Sequence, residues 1–555
     1  MKRLCIVFLG VWALLGCSKA SPDDSGTTPV KPTVPANVQL HSATDYSLTF
    51  QWSAVEGAKG YEWKLVFDAA AVKTGKANNR NVTIDGLMAG TLYGFSVRAV
   101  AGEEVSDWSP MLDAITTGQT PAPPDPSAQL VCVDSPIIME MDHVPVMGTS
   151  GYVRIFKANG TEVDCINLAD IATVDVREDG VMLPKEQITS PSLSTTFMDA
   201  LSSGGKKRYV HYTPFRIEGK NFIIRPHSGV LDFDTEYYVT VDESVCGQAV
   251  AAGEWTFVTQ SAPSTTSISV NPDGSADFCT LQRALSHAAD GATITLADAT
   301  YPELLYLRDK KNITVKGESR TGTVIAYPNS EVYMVGSSNR CLWLVENCDN
   351  LVVENLTVEN TFGNPKGQAE CIYFNSGSNA HRLTIENCSL ISWQDTFLCK
   401  GSVWVHNSLI AGHCDYIWGY PQACLFEDCE IRSRAAGYIV QARINNATDK
   451  GFVFLNCSLT AESGVADGSM YLARSGGDSS KYDNVTYINC AMSSVIAPAG
   501  WYTSPAPTPS APTAVSGWKE YGTTGVSTAQ RNAYGKILTA EEAAAYSSRQ
   551  AVLGW

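Results

Sequence analysis

At 555 residues the chain is long enough for two to four domains, and 44% hydrophobic against 17% charged residues is the balance of a core-forming globular protein. Its formal net charge of −17 excludes nucleic acid as a partner and disfavours a strongly anionic polymer unless that polymer's acid groups are masked. Sixteen cysteines suggest a disulfide framework, but several share one context: ENC at Cys348 and Cys388, EDC at Cys429, LNC at Cys457, INC at Cys490. That repetition reads as a ladder of small buried side chains, and no cysteine pair has structural-zinc spacing.

Lys2 and Arg3 precede an apolar run from Leu4 to Gly16, too short to span a membrane. The run ends in 14-LLGC-17 and resembles a bacterial lipobox, which implies removal of 1–16 and lipid attachment at Cys17. An ordinary secretory signal with an incidental cysteine is the alternative. The expectation is an exported lipoprotein held to the outer membrane through Cys17 and displayed at the cell surface. Residues 17–32 read as a flexible tether. Over 33–118 short alternating strands carry Trp52, Tyr61, Leu87, Tyr93 and Val97 as core, an arrangement that resembles a fibronectin type III sandwich with Tyr93 as its corner tyrosine. TPAPPDP makes 119–127 a stiff linker. Residues 128–260 give further short strands and resemble a bacterial Ig-like sandwich, with no catalytic constellation and a spacing or docking role.

From 267 to 555 the chain repeats. Short apolar strands begin with Asn or Asp at Asn355, Asn387, Asn407, Asp428, Asn456 and Asn489. Coils of about twenty residues with loop insertions are the mark of a parallel β-helix, whose coils stack at ~4.8 Å. Asp395 follows Asn387, and Asp415 follows Asn407, at the same interval. The two acids therefore share a phase on adjacent coils, with carboxylates expected ~4–6 Å apart. Like charges that close push one carboxyl to keep its proton. A lone Asp at a coil corner is a turn residue; two in phase, flanked by Trp393, Gln394, Tyr416 and Trp418, read as a functional pair.

Eight segments in order then resemble the pectinesterase (pectin methylesterase) family: VNPDGSADFCTLQRAL, YPELLYLRDKKNITVKGES, KGQAECIYF, WQDTF, CDYIWG, VQARINNATDKGFVFLNC, YLAR and the closing PAGW…LTAEEAAAYSSRQAVLGW. The resemblance implies an all-β protein, a right-handed parallel β-helix after the two sandwiches. It implies that Asp415 attacks the C6 methyl ester of galacturonate, that Asp395 is the general acid and then base, that Gln368 and Gln394 donate to the oxyanion, and that Arg474 orients Asp415. No metal or other cofactor is implied; the expected partner is methyl-esterified homogalacturonan, met by a monomer.

The chain departs from the family pattern at Ala442 and Ala473, where glycine is usual, and at Ser475–Gly476 and Leu398, where cleft aromatics are usual. An alanine fits there only if the backbone does not need positive φ. Trp418 and Trp501 remain as aromatics to stack on sugar, with Trp393, Tyr416 and Tyr420 as additions or as core. Two other readings stay open: a polygalacturonase-type hydrolase on the same scaffold, with acids ~6.5–9.5 Å apart, and a pectin-binding lipoprotein without turnover.

Overall fold

The computed structural model describes residues 31–555, apart from 45–46, 68–69, 86, 88–91, 118–130, 172–175, 178–179, 182–193, 197–208, 212–213, 228, 333, 364, 366 and 378–380. The signal segment, Cys17, most of the tether and the Pro-rich linker lie outside the described residues. No helix among the described residues is long and apolar enough to cross a membrane.

The first sandwich has a three-stranded antiparallel sheet built on Ser47–Gln51 and a five-stranded sheet built on Gly60–Phe67 and Leu92–Ala101. Ser47–Gln51 alternates half-buried and buried positions, as a strand with one face on a core requires. Trp52, Tyr61, Leu87, Tyr93 and Val97 are all buried, and Phe50 stacks on Phe95 with ring centroids 3.9 Å apart. The second unit pairs a four-stranded antiparallel sheet around Tyr152–Lys157 and Glu236–Val241 with a three-stranded one around Asn221–Ile224.

That second unit is fastened to the start of the next. Asp134 accepts from the backbone N–H groups of Cys279 (3.0 Å) and Thr280 (2.7 Å) and from the Thr280 hydroxyl. Gln260 donates to the Asp277 carbonyl, and Phe233 packs edge-on against Phe278. The helix Leu281–His287, capped by the Thr280 side chain, closes the open end of the solenoid, and Leu281, Ala284 and Leu285 share one continuous core with the second sandwich.

From Ser267 onward the strands are parallel and stack in register into an eleven-stranded sheet and a fourteen-stranded assembly, so the chain winds as a β-helix. The repeated Asn and Asp residues do not begin strands, as the sequence suggested; each is the corner between two of them. Asn355, Asn387, Asn407, Asp428, Asn456 and Asn489 all hold φ between 46° and 57°. Short polar side chains are the L-residues that enter this left-handed region most cheaply. The corners also stack: Asn387 Nδ2 donates to Asn355 Oδ1 at 2.8 Å, and Asn407 to Asn387 at 3.4 Å. Cys388, Cys429, Cys457 and Cys490, each directly after a corner, are buried, and every described cysteine is a free thiol.

Candidate active site

Two strands run through a corner without breaking, Leu409–Gly419 and Glu430–Ala442. Gln368, Gln394 and Cys414 bridge in succession across three neighbouring coils, and Phe397 pairs with Ile417. That register puts Asp395 directly beside Asp415. Both have positive φ, 66° and 47°, and both are almost fully buried, 3% and 4% exposed. Next to Asp415 the register slips between Cys414 and Ile417 against the following coil, a bulge of the kind that re-aims a side chain.

The two acids have opposite surroundings. Asp415 accepts at both oxygens from Arg474, Nε to Oδ1 at 2.8 Å and Nη2 to Oδ2, and Gln441 Nε2 donates to Oδ2 at 2.9 Å. Asp395 accepts only at Oδ2, from Arg340 Nη2 (2.8 Å) and Gln368 Nε2 (3.1 Å). Its Oδ1 has no partner among the described residues. Burial lifts the Asp395 carboxyl well above the usual carboxylate range; the negative charge of Glu370 adds to that, Arg340 opposes it, and Asp415 raises it further. The half-buried Gln394 amide has no side-chain partner among the described residues, one coil from Gln368.

The arrangement is therefore one acid forked by an arginine beside one acid that favours its proton, with the unengaged Gln394 amide alongside. A family model described as Pectinesterase matches residues 267–554, and one for the fibronectin type III domain matches 32–115. The chain belongs to the pectinesterase family. As a pectinesterase it is a carboxylic ester hydrolase. It is 31% identical over 252 residues to Pectinesterase 31 of Arabidopsis thaliana, covering 42% of this chain and 76% of that one. It is 30% identical over 231 residues to Probable pectinesterase A of Aspergillus niger, covering 40% and 67%. Among solved structures, the pectin methylesterase of Aspergillus niger aligns over 53% of this chain and 95% of its own, at 27% identity and a TM-score of 0.44.

The aromatic expectations divide. Trp418 lies on the outer face of the pectinesterase coil, buried at 7% exposure in a register ladder Tyr306, Leu344, Tyr373, Leu398, Trp418, Gln441. Arg443 stacks over the Trp418 ring at 5.1 Å and bonds the Tyr420 hydroxyl. Trp393 is half-buried under Arg434, 4.1 Å from its ring. Tyr416 and Trp501, in contrast, are core. Tyr416 follows the outward Asp415 and so points inward, fully buried with its hydroxyl near Ser433. Trp501 pairs in register with the fully buried Ala473 and stacks on Trp518 inside the coil. Neither ring can meet a sugar. Ala442 and Ala473 are also core, and neither has positive φ, so the missing glycines cost no backbone strain.

Sequence reasoning missed three groups of residues. Gln441 holds Asp415 and takes Arg443 Nε on its own carbonyl at 2.9 Å; it was visible inside VQAR without a role. Tyr438, Tyr471 and Tyr502 gather beside Arg474, with centroids 4.8 to 6.0 Å apart and the Arg474 guanidinium 5.1 Å from Tyr438. Arg340 and Glu370 back Asp395. Glu370 had a signal, a charge inside the apolar run QAECIYF, since a buried charge must be paired; Arg340, 55 residues before Asp395, had none.

Proposed function

We propose that this enzyme hydrolyses the C6 methyl esters of homogalacturonan to methanol and pectate through an acyl-enzyme on Asp415. The observation that carries the reading is the coil register that sets Asp395 beside Asp415, with Arg474 forked onto the second acid only. Asp415 attacks the ester carbonyl, and the Gln394 and Gln368 amides donate to the oxyanion. The intermediate collapses as the methoxy oxygen takes the proton of Asp395 and leaves as methanol. Asp395, now a carboxylate, takes a proton from water, whose oxygen attacks the acyl carbon and frees Asp415. The product carboxylic acid then releases its proton to solvent, with Asp395 protonated and Asp415 free as at the start.

The cleft suits a uronate chain. Despite the net charge of −17, its rim carries Arg434, Arg443 and Lys400 laid against aromatic rings, a lining that meets apolar sugar faces and neighbouring free carboxylates together. Names of the related proteins, pectinesterases of a plant and a fungus, support the same substrate. The test is methanol release from highly esterified pectin, with Asp395→Asn and Asp415→Asn beside the parent. The reading requires release by the parent, its loss in both variants, and no new reducing ends or unsaturated products; chain cleavage, or full activity in Asp415→Asn, refutes it. We also read the protein as lipid-anchored through Cys17, which predicts that Cys17→Ser moves it from membrane to soluble fractions.

A further inference from the structure

Behind the acid side of the site lies a buried ion cluster that the reaction scheme does not use. Arg340 sits in the short helix Ser337–Arg340 and is 5% exposed; Glu370, between Ala369 and Cys371, is completely buried. Arg340 spends all five of its N–H donors. Nε bonds both oxygens of Glu370 (3.1 and 2.9 Å), and Nη2 bonds Glu370 Oε1 and Asp395 Oδ2, each at 2.8 Å. Nη1 bonds Glu331 Oε2 at 2.8 Å and Gln368 Oε1 at 2.9 Å. A planar guanidinium saturated in this way is a rigid template.

Two consequences follow from that geometry. Because Gln368 Oε1 accepts from Arg340, the amide cannot flip, and its Nε2 is aimed at Asp395 and the site. A bare guanidinium touching Asp395 would strip its proton and leave it unable to protonate methanol. Glu370, bound through both oxygens, cancels that charge at its source.

We propose that Arg340 and Glu370 act as a positioning pair for this reaction, Arg340 locking the Gln368 amide and the Asp395 Oδ2 while Glu370 neutralises Arg340 so that Asp395 Oδ1 carries the proton toward the leaving group. The proposal rests on the esterase reading above for its chemistry and on the contacts alone for its structure. The other charged or titratable groups facing Asp395 are Glu331 through Arg340, and Asp415 with Arg474 and Cys414 on the next coils; His413 and Arg434 lie beyond them.

The test compares Glu370→Gln with the double variant Arg340→Leu/Glu370→Leu. Methanol release is followed against pH, and the Asp395 carboxyl is titrated by infrared difference spectroscopy, assigned by its loss in Asp395→Asn. In Glu370→Gln the unbalanced arginine moves the Asp395 titration, and with it the alkaline limb of kcat/KM, down by about one pH unit or more. The double variant removes a neutral pair, so the limb returns toward the parent position while kcat stays below parent because the Gln368 amide is free to flip. Replacing a buried ion pair by apolar groups is often tolerated, which keeps this arm interpretable if Glu370→Gln folds poorly. An unmoved Asp395 titration in Glu370→Gln, or one in the double variant that falls as far, overturns the proposal. Absence of methanol release from the parent overturns the esterase reading instead, and the infrared titration still decides whether the pair sets the proton.

Discussion

Asp415 and Asp395 are each held by a glutamine that answers to another residue. Gln441 gives its amide N–H to Asp415 only because its carbonyl is occupied by Arg443. Gln368 stands in the same relation to Arg340 and Asp395. Each of the two paired carboxyls thus faces a glutamine whose orientation an arginine sets. Gln441→Leu removes one charge-assisted bond from Asp415 and should lower kcat by about 10- to 100-fold with little change in KM, measurable by steady-state methanol release. Asp395 makes a different prediction. Its folded carboxyl titrates above the unfolded one, so the parent loses stability as pH rises from the ordinary aspartate range through that raised value. An asparagine does not titrate. Asp395→Asn should therefore melt higher than the parent, by a margin that grows over that pH window, while releasing no methanol. Thermal unfolding of both proteins from acid to mildly alkaline pH checks the sign; a margin independent of pH would contradict it.

At the scale of the coil, the left-handed corner does most of the placing. The phase of Asp395 and Asp415 was legible because each lies a fixed interval beyond a repeated Asn, although the sequence placed that Asn at a strand start and the structure makes it a corner. The cleft walls were not legible. Whether Tyr416 or Trp501 faces sugar or core depends on which side of a bulge or a register pair it falls, and a one-residue slip reverses every side chain. Tyr438, Tyr471 and Tyr502 converge from three separate strands, so no local pattern announces them. Asn387→Ala should cost about 1–2 kcal/mol, since alanine pays the left-handed penalty and breaks the stack between Asn355 and Asn407; denaturant unfolding measures it. Tyr438→Ala removes a ring beside Arg474 without touching either acid, so KM on pectin should rise several-fold with kcat largely kept.

For the molecule as a whole, the two sandwiches differ in how they meet the catalytic unit. The first keeps a core of its own, with Phe50, Trp52 and Phe95 at its centre. The second shares a core with the solenoid, and Asp134 is the clasp, its two oxygens taken by two backbone N–H groups and a hydroxyl at the entry to Leu281–His287. A solenoid end is an unpaired surface that must be capped. The second sandwich therefore works as part of the cap, and its removal would uncover the Phe278 ring that Phe233 packs against. Asp134→Ala leaves the part-buried N–H groups of Cys279 and Thr280 without this acceptor, a loss of about 1–3 kcal/mol in total. The coils that carry the paired acids begin well beyond this junction, at Gln368. The variant should thus unfold at lower denaturant while its kcat at moderate temperature stays near the parent value. A variant that kept full stability would mean the clasp is solvated in solution and adds nothing to the cap.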